Sequence, residues 1–214
     1  MAHVTRSFTG LDPATIATNL ERVRSRIADA GRDPAEVEIC AAVKYVAIDE
    51  LGALAEGGVT LVGENRAQDL VAKHERWGDA FTWDFIGALQ SRKVRDVAPR
   101  VRLIHSVASE SALKRLEDVE VLVQVNVAGE ESKAGIAPAE LPRYIERSPV
   151  PVTGLATMPP EVERAEDNRR HFARLAELAA EHGLSRLSMG TSQDYEVAVQ
   201  EGATIVRLGS VLYA

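Results

Sequence analysis

Short apolar runs alternate with amphipathic segments eight times between residues 39 and 208, and this alternation restricts the fold more than any other feature. Runs this short fit strands buried on both faces, and the segments between them are long enough for a helix. Strands joined through helices pair in parallel, because each connection must cross back over the sheet. The predicted strands lie at 39–43, 59–62, 82–86, 102–105, 120–127, 152–156, 186–189 and 204–208.

Helices are predicted before the first strand and after each of the first seven. The first begins at Asp12-Pro13, where the aspartate caps the helix and the proline occupies the first turn. Apolar residues follow at spacings of three and four up to Gly31, which is a typical helix-terminating residue. The others are predicted near 48–57, 65–75, 91–97, 109–117, 138–147, 161–182 and 192–201, and residues 1–11 are predicted to form a loose terminus.

Two architectures accommodate eight parallel strands separated by helices. A closed (β/α)8 barrel of the TIM type is favoured by the number of strands and by the uninterrupted alternation. An open doubly wound sheet would usually carry a glycine-rich phosphate loop after its first strand, but here that strand is followed by Lys44-Tyr45-Val46. We therefore predict an α/β fold with one domain over residues 1–214, a single (β/α)8 barrel with an extra N-terminal helix.

Lys44 ends the first apolar run, in the stretch EICAAVKY. A lysine at a strand end most often reaches solvent, where its ammonium is hydrated and its stem covers apolar surface. The alternative is a lysine in a pocket, whose amine is free to act as a nucleophile and form a Schiff base. The choice between the two depends on what surrounds Lys44 at the carboxyl end of the barrel.

The carboxyl ends of the last two predicted strands carry glycines and hydroxyl residues, Gly190-Thr191-Ser192 and Gly209-Ser210. Small residues let backbone N–H groups approach an anion, and the loops after strands seven and eight are the usual phosphate site of this barrel. Either group alone would be interpreted as a helix cap or a turn, but both together favour a phosphate site. Strand one neighbours strand eight in a closed barrel, so Lys44 would lie nearby. A reactive lysine beside a phosphate site suggests pyridoxal phosphate (PLP).

Seven stretches then match a known family in order and spacing, from Asp12 onward. They are AAVKY at 41–45, VGENRAQD at 62–69, DFIGALQSRK at 84–93, IHSV at 104–107, VQVNVAGEESKAGI at 123–136, GLATMPP at 154–160 and SMGTSQDYEVAVQEGATIVRLGS at 188–210. Together they resemble the pyridoxal phosphate homeostasis proteins, which are similar to the N-terminal barrel of bacterial alanine racemase. The sequence departs from the family pattern at several positions, among them Val43 and Thr191, but keeps the lysine, the arginine and the phosphate hydroxyls.

The resemblance implies a set of cofactor-binding residues. Lys44 matches the lysine that forms the Schiff base, and Arg207 matches the arginine that faces the pyridine nitrogen. The other implied contacts are Ser192, Gly209 and Ser210 to the phosphate and Asn65 beside the cofactor. Because arginine keeps its proton, it can donate a hydrogen bond to that nitrogen without protonating it, so the ring stays a weak electron sink.

Catalysis would need more than a bound cofactor. A racemase needs acid and base groups on both faces of the substrate α-carbon, and in the related racemases the second group is a tyrosine from another domain. Tyr45 and Tyr195 are candidates here by position only. We therefore expect a PLP-binding protein of intracellular PLP homeostasis that holds the cofactor on Lys44 without committed catalysis. The alternatives are a low-efficiency PLP-dependent amino-acid racemase and a phosphosugar or aldolase-type barrel with a Schiff-base lysine.

Charge and composition restrict the partners. The net charge of -7 argues against a nucleic-acid partner, and no apolar stretch reaches transmembrane length. The single cysteine, Cys40, fits a reducing compartment, so we expect a cytoplasmic protein, and we also expect a monomer. Candidate recipients of the cofactor are PLP-dependent apo-enzymes. The histidines are too scattered for a metal site, and His105 is interpreted as a structural histidine with its hydrogen bonds satisfied.

Overall fold

The computed structural model describes residues 8–130 and 134–214 of the chain. Its strands are β1 (Glu38–Ala42), β2 (Leu61–Glu64), β3 (Thr82–Phe85), β4 (Leu103–Val107), β5 (Glu120–Gln124), β6 (Val152–Ala156), β7 (Arg186–Ser188) and β8 (Ile205–Leu208). Within the described residues, these eight parallel strands close a barrel in sequence order. Closure is made by β1 and β8, with Glu38 opposite Ile205 and Ala41 opposite Leu208. The closed sheet confirms the predicted barrel and excludes the open one.

Helices cover the outside of the barrel, because each crossover must bury one apolar face against the strands. They are α1 (Pro13–Asp29), α2 (Leu51–Glu56), α3 (Ala67–Trp77), α4 (Val94–Val97), α5 (Glu110–Leu113), α6 (Leu141–Arg147), α7 (Arg169–Glu181), α8 (Tyr195–Gln200) and α9 (Ser210–Tyr213). Helix α1 is the extra N-terminal helix. The Asp12 carboxylate caps it by accepting from the Thr15 N–H at 2.9 Å, and Gly31 follows its end at a φ of +87°.

The segment before α1 is anchored where it is described, contrary to the predicted loose terminus. The Phe8 N–H donates to the Tyr45 carbonyl at 2.8 Å. The N–H groups of Gly10 and Leu11 donate to the two oxygens of the Glu50 carboxylate at 2.8 and 2.9 Å. A carboxylate that accepts two backbone amides holds an extended segment firmly. Residues 1–7 of the predicted terminus lie outside the described residues.

Helix α7 begins at Arg169 rather than near residue 161. The segment before it is a loop followed by one 3-10 turn, Ala165–Asn168. The Asn168 amide donates to the Pro160 carbonyl at 3.2 Å and to Asp194 Oδ2 at 2.9 Å. These bonds join the loop after β6 to the loop after β7, and a helix over the same residues could not make them.

Helix α9 was not predicted, because four residues are too few to show a periodicity. It follows β8 directly and packs beside α1. The Asn19 side chain of α1 donates to the carbonyls of Leu212 and Ala214 at 3.1 and 3.0 Å. A buried asparagine therefore fixes the end of α9 against the outside of the barrel.

The interior of the barrel is layered, because residues two apart on a strand face the same side. At the amino ends lies a group of charged residues that we call the amino-end ring: Glu38, Asp84, Arg102, Glu120 and Arg186. Arg102 pairs with Glu38 and Asp84, and Arg186 pairs with Glu38 at 2.9 Å and Glu120 at 3.0 Å. An apolar layer also fills the interior, formed by Cys40, Leu61, Leu103, Leu122, Ala156 and Ile205.

No helix among the described residues is both long and apolar enough to cross a membrane.

Candidate functional site

The structure gathers the predicted site residues at the carboxyl ends of four adjacent strands. In order around the barrel these strands are β7, β8, β1 and β2. The residues are Ser192 after β7, Arg207 in β8, Gly209 and Ser210 after β8, Lys44 after β1 and Asn65 after β2. The carboxyl end is where barrels of this kind bind ligands.

Lys44 lies in the turn that leaves β1. The Val43 N–H just before it still donates to the Gly63 carbonyl of β2, at 3.0 Å. The Lys44 side chain is half-buried, and its ammonium lies 4.5 Å from the centroid of the Tyr45 ring. This is a cation–π contact, which holds a cation without a hydrogen-bond acceptor. Lys44 forms no ion pair with any described residue, so no carboxylate competes for its amine.

A buried ion pair supports the backbone on both sides of this turn. The Lys73 ammonium of α3 donates to Glu64 Oε2 and to the Val43 carbonyl, both at 2.6 Å. The other oxygen of Glu64 accepts the N–H groups of Asn65 and Arg66 at 2.7 and 3.2 Å. Glu64 is fully buried and Lys73 nearly so. The pair therefore fixes the residues directly before Lys44 and at Asn65, a role that sequence analysis did not identify.

The loops after β7 and β8 meet through Ser192. Its hydroxyl oxygen accepts the N–H of Gly209 at 3.1 Å and the N–H of Val211 at 3.4 Å. Ser192 is therefore not the cap of α8, the simpler interpretation, and the turn at Thr191 is closed instead by Asp194, whose Oδ1 accepts the Thr191 N–H at 2.7 Å. Two backbone N–H groups aimed at one oxygen are an arrangement that also suits an anion. Ser210 lies beside them and is exposed.

Arg207 extends across the carboxyl end and bonds only to uncharged acceptors. Its Nη1 donates to the Ser188 carbonyl at 3.0 Å and to Ser188 Oγ at 2.8 Å. Its Nη2 donates to the Thr157 carbonyl at 2.8 Å and contacts the sulfur of Met158 at 3.4 Å. Burial lowers the pKa of the guanidinium, although arginine stays protonated in proteins. Within the described residues Arg207 forms no ion pair, so a firmly held cation faces the site.

A hydrogen-bonded chain continues from Arg207 into the barrel. Ser188 Oγ lies 2.7 Å from Nδ1 of His105, and Nε2 of His105 lies 3.0 Å from Asp84 Oδ2. Asp84 also accepts from Arg102 of the amino-end ring at 2.9 and 3.2 Å. Both ring nitrogens of His105 are bonded, which confirms the predicted structural histidine. Asp84, Ser188 and His105 are all almost completely buried.

Burial and charge set the protonation of this chain. Burial lowers the pKa of His105, an effect that outweighs the neighbouring Asp84 carboxylate. Burial alone would raise the pKa of Asp84, but hydrogen bonds from His105 and Arg102 hold it below the ordinary value. His105 is thus neutral and Asp84 charged at neutral pH. Nε2–H of His105 then donates to Asp84, and Nδ1 accepts from the Ser188 hydroxyl.

These shifts predict that acid destabilises the protein in two steps. Below about pH 6.5 an unfolded chain protonates His105 while the folded chain does not, so the free energy of unfolding falls. Below about pH 4 the unfolded chain protonates Asp84 first, which lowers stability again. Urea unfolding at a series of pH values measures this. We expect His105→Gln to flatten the curve between about pH 7 and pH 5. Parallel curves for wild type and His105→Gln would contradict the assignment.

Asn65 offers an acceptor that the protein leaves unused. Its Oδ1 is buried and has no hydrogen-bond partner among the described residues. Its backbone is held by Glu64 and by the loop after β3, where a Cβ on Gly87 would come 2.0 Å from the Asn65 carbonyl oxygen. Only glycine fits there. A buried orphan oxygen is costly, so Asn65 is suited to a ligand that donates to it.

The donor set fits PLP. An aldehyde requires an amine, which Lys44 supplies, and an aromatic nitrogen acceptor requires a donor, which Arg207 supplies. A phosphate requires N–H and hydroxyl donors, which lie at Ser192, Gly209 and Ser210. Among the described residues, no group of three or more His, Cys, Asp or Glu side chains is placed to hold a metal ion.

Comparison with known proteins gives relatives along almost the whole chain, although no family model matches it. A protein of Aquifex aeolicus is 37% identical over 213 residues, covering 91% of this chain and 93% of its own length. A protein of Pseudomonas aeruginosa is 38% identical over 220 residues, covering 94% and 95%. Both are named pyridoxal phosphate homeostasis protein.

Comparison with solved structures also gives relatives that cover almost the whole chain. PipY of Synechococcus elongatus, determined with PLP bound, is 30% identical with a TM-score of 0.79, covering 93% of this chain and all of its own. Alanine racemase of Clostridium difficile is 14% identical with a TM-score of 0.67, covering 92% of this chain and 56% of its own, and shows a shared fold alone. With identities above 30% over nine-tenths of its length, the chain belongs to the pyridoxal phosphate homeostasis protein family.

Proposed function

We propose that this protein binds PLP as a Schiff base on Lys44 and holds it without committed catalysis, as part of PLP homeostasis. The observation that carries the proposal is the arc of β7, β8, β1 and β2. It presents two backbone N–H groups that converge on Ser192 Oγ, together with the Arg207 guanidinium and the Lys44 ammonium. Neither of these cations forms an ion pair with a described residue. The names of the relatives and the PLP in PipY support the same cofactor.

PLP supplies an aldehyde that condenses with an amine, with loss of one water. In the proposed site the amine is Lys44, which the cation–π contact with Tyr45 holds at the end of β1. Ser192, Gly209 and Ser210 bind the phosphate. Arg207 donates to the pyridine nitrogen and keeps its own proton. Asn65 accepts a hydrogen bond through its otherwise unpaired Oδ1.

The absence of committed catalysis is part of the proposal and rests on two features. A permanently charged arginine leaves the pyridine nitrogen unprotonated, which limits electron withdrawal by the ring. Tyr195, one of the two candidate tyrosines, is buried, and burial raises its pKa to about 12. A tyrosine with that pKa is a poor proton acceptor near pH 7. The protein then acts as a cytoplasmic carrier of the cofactor.

Covalent trapping tests the attachment. The protein is incubated with PLP, the Schiff base is reduced with borohydride, and the modified peptide is identified by mass spectrometry. We expect one equivalent of pyridoxyl group on Lys44 and none on Lys93, whose ammonium pairs with Asp96 at 3.8 Å. A reduced adduct on another lysine would contradict the assignment. The lack of any adduct would favour the phosphosugar or aldolase-type barrel.

Proton exchange separates the carrier from the racemase. Alanine or serine is incubated with the cofactor-loaded protein in deuterated water, and deuterium at the α-carbon is followed by NMR. The carrier predicts no exchange above that of free PLP. Exchange that exceeds this level and is lost in Lys44→Ala would establish the low-efficiency racemase instead.

A further inference from the structure

We propose that Asp84, His105 and Ser188 are positioning residues that fix the guanidinium of Arg207, and that they do so only while His105 is neutral. The inference rests on the proposed function, in which Arg207 faces the pyridine nitrogen of PLP. It adds three interior residues, on β3, β4 and β7, that determine how Arg207 is presented.

Each hydrogen bond between Arg207 and Asp84 through Ser188 and His105 has one allowed direction of donation. A guanidinium has no acceptor, so Arg207 Nη1 must donate to Ser188 Oγ, at 2.8 Å. The Ser188 hydroxyl hydrogen then goes to His105 Nδ1, at 2.7 Å. A charged Asp84 can only accept, so it takes the hydrogen on His105 Nε2, at 3.0 Å. Asp84 is in turn held by Arg102. Each atom that links Arg207, Ser188, His105 and Asp84 therefore has a partner of the required kind, which favours a rigid buried network.

Protonation of His105 would break this order. An imidazolium donates from both nitrogens, so Ser188 Oγ would have to accept from His105 and from Arg207 at once. The Ser188 hydroxyl hydrogen would then lose its acceptor. The charges around the imidazole are Asp84 from β3, Arg102 before β4 and Arg207 from β8, and the neutral Cys40 thiol from β1 also faces Arg207. A third cation beside Arg102 and Arg207 is disfavoured, which supports a neutral imidazole.

The hydrogen-bonded chain from Asp84 to Arg207 has a consequence for the bound cofactor. Arg207 is anchored on one edge by the Ser188 carbonyl and hydroxyl and by the Thr157 carbonyl, so its direction is fixed before PLP arrives. A donor of fixed direction binds better and perturbs the ring more reproducibly than a mobile one. Loss of the Ser188 hydroxyl should therefore weaken PLP binding and also change the pH at which the Schiff base on Lys44 titrates.

A serine variant with matched controls tests this. Ser188→Ala removes the link, Ser188→Thr restores a hydroxyl, and Ser148→Ala removes a partly buried hydroxyl that bonds the Val150 carbonyl before β6, away from the site. We expect Ser188→Ala to raise the dissociation constant for PLP about tenfold, the value of one hydrogen bond to a charged group. The midpoint of its absorption-monitored pH titration should also shift. Ser188→Thr should recover both, and Ser148→Ala should match wild type. If Ser188→Ala stays within twofold of wild type and titrates identically, the proposal is overturned.

A measurement on the wild-type protein keeps the proposal testable if Ser188→Ala does not fold. Nitrogen NMR of ¹⁵N-histidine-labelled protein without cofactor reports the tautomer of His105. We expect a neutral ring with the hydrogen on Nε2 between about pH 6 and pH 8. An imidazolium, or a hydrogen on Nδ1, would overturn the proposal. Failure of the proposed function would give a different result. Wild-type protein would then form no adduct with PLP, whatever the protonation state of His105.

Discussion

Lys44→Ala is expected to abolish the visible absorption that PLP acquires on forming a Schiff base with the protein, and to weaken PLP binding about a hundredfold, on the order of 3 kcal/mol. The reason is covalent: Lys44 is the lysine at the carboxyl end of β1, and its amine is not tied up in an ion pair among the described residues. In the proposed site, the residual affinity would come from Arg207 and from the loops after β7 and β8, which the substitution leaves intact.

Two further variants define the Lys44 result. Lys44→Arg keeps the cation beside Tyr45 but cannot form the imine, so it should lose the absorption as completely as alanine does. Lys93→Ala removes a lysine in the turn before α4, whose ammonium pairs with Asp96, and it should behave as wild type. Absorption spectra and equilibrium dialysis with PLP measure both properties. An unchanged spectrum in Lys44→Ala would mean that another lysine carries the cofactor.

Lys73→Met is expected to lower the free energy of unfolding by about 3–5 kcal/mol, the cost of removing one partner of a buried ion pair. Methionine fills a similar volume, so the loss comes from charge. Glu64 Oε2 would stay buried without its cation, and the Val43 carbonyl would lose its donor. Urea unfolding measures the change, with an unaltered m-value expected if the native state keeps its compactness.

A double variant and a surface control make this prediction specific. Glu64→Gln combined with Lys73→Met should be more stable than Lys73→Met alone, because a neutral amide costs less to bury and can still accept from Asn65 and Arg66. Lys114→Met removes an exposed pair with Glu110 at 3.7 Å and should cost under about 0.5 kcal/mol. A loss below about 1 kcal/mol in Lys73→Met would show that its ammonium is solvated.

The barrel was predictable because buried parallel strands are continuous apolar runs. The location of the site was predictable because such barrels bind ligands at the carboxyl ends of their strands, and finding those ends requires only the strand order. That order alone gathers Lys44, Ser192 and Arg207 on neighbouring strands. The helix boundaries were harder to predict from the sequence. The start of α7 depends on Asn168, whose amide bonds to Pro160 and Asp194, and the second of these contacts exists only after the chain has folded.

The buried charges were not identified from the sequence either, because their partners are brought to them only by folding. Lys73 stands three residues after Leu70 and four before Trp77, on the apolar stripe of α3, and Asp84 interrupts an apolar strand. A charged residue at an otherwise apolar position indicates a buried ion that needs a partner of opposite charge. The partner of Asp84, His105, is distant in sequence, and only the packing of β3 against β4 brings the two together.

The chain of hydrogen bonds inside the barrel has a consequence for how the protein can be divided. Asp84 and His105 belong to the first four strands, and Ser188 and Arg207 belong to the last four. In the amino-end ring, Arg102 pairs within the first half and Arg186 pairs with Glu120 within the second, while the Arg186–Glu38 pair at 2.9 Å joins the two halves. A half-barrel expressed alone would therefore lose the His105–Ser188 hydrogen bond and the Glu38–Arg186 ion pair, and its outer strands would have open edges. The two halves are complementary rather than equivalent, so fragments should regain a fold only as the heterologous pair, and a duplicated half could not substitute for the other.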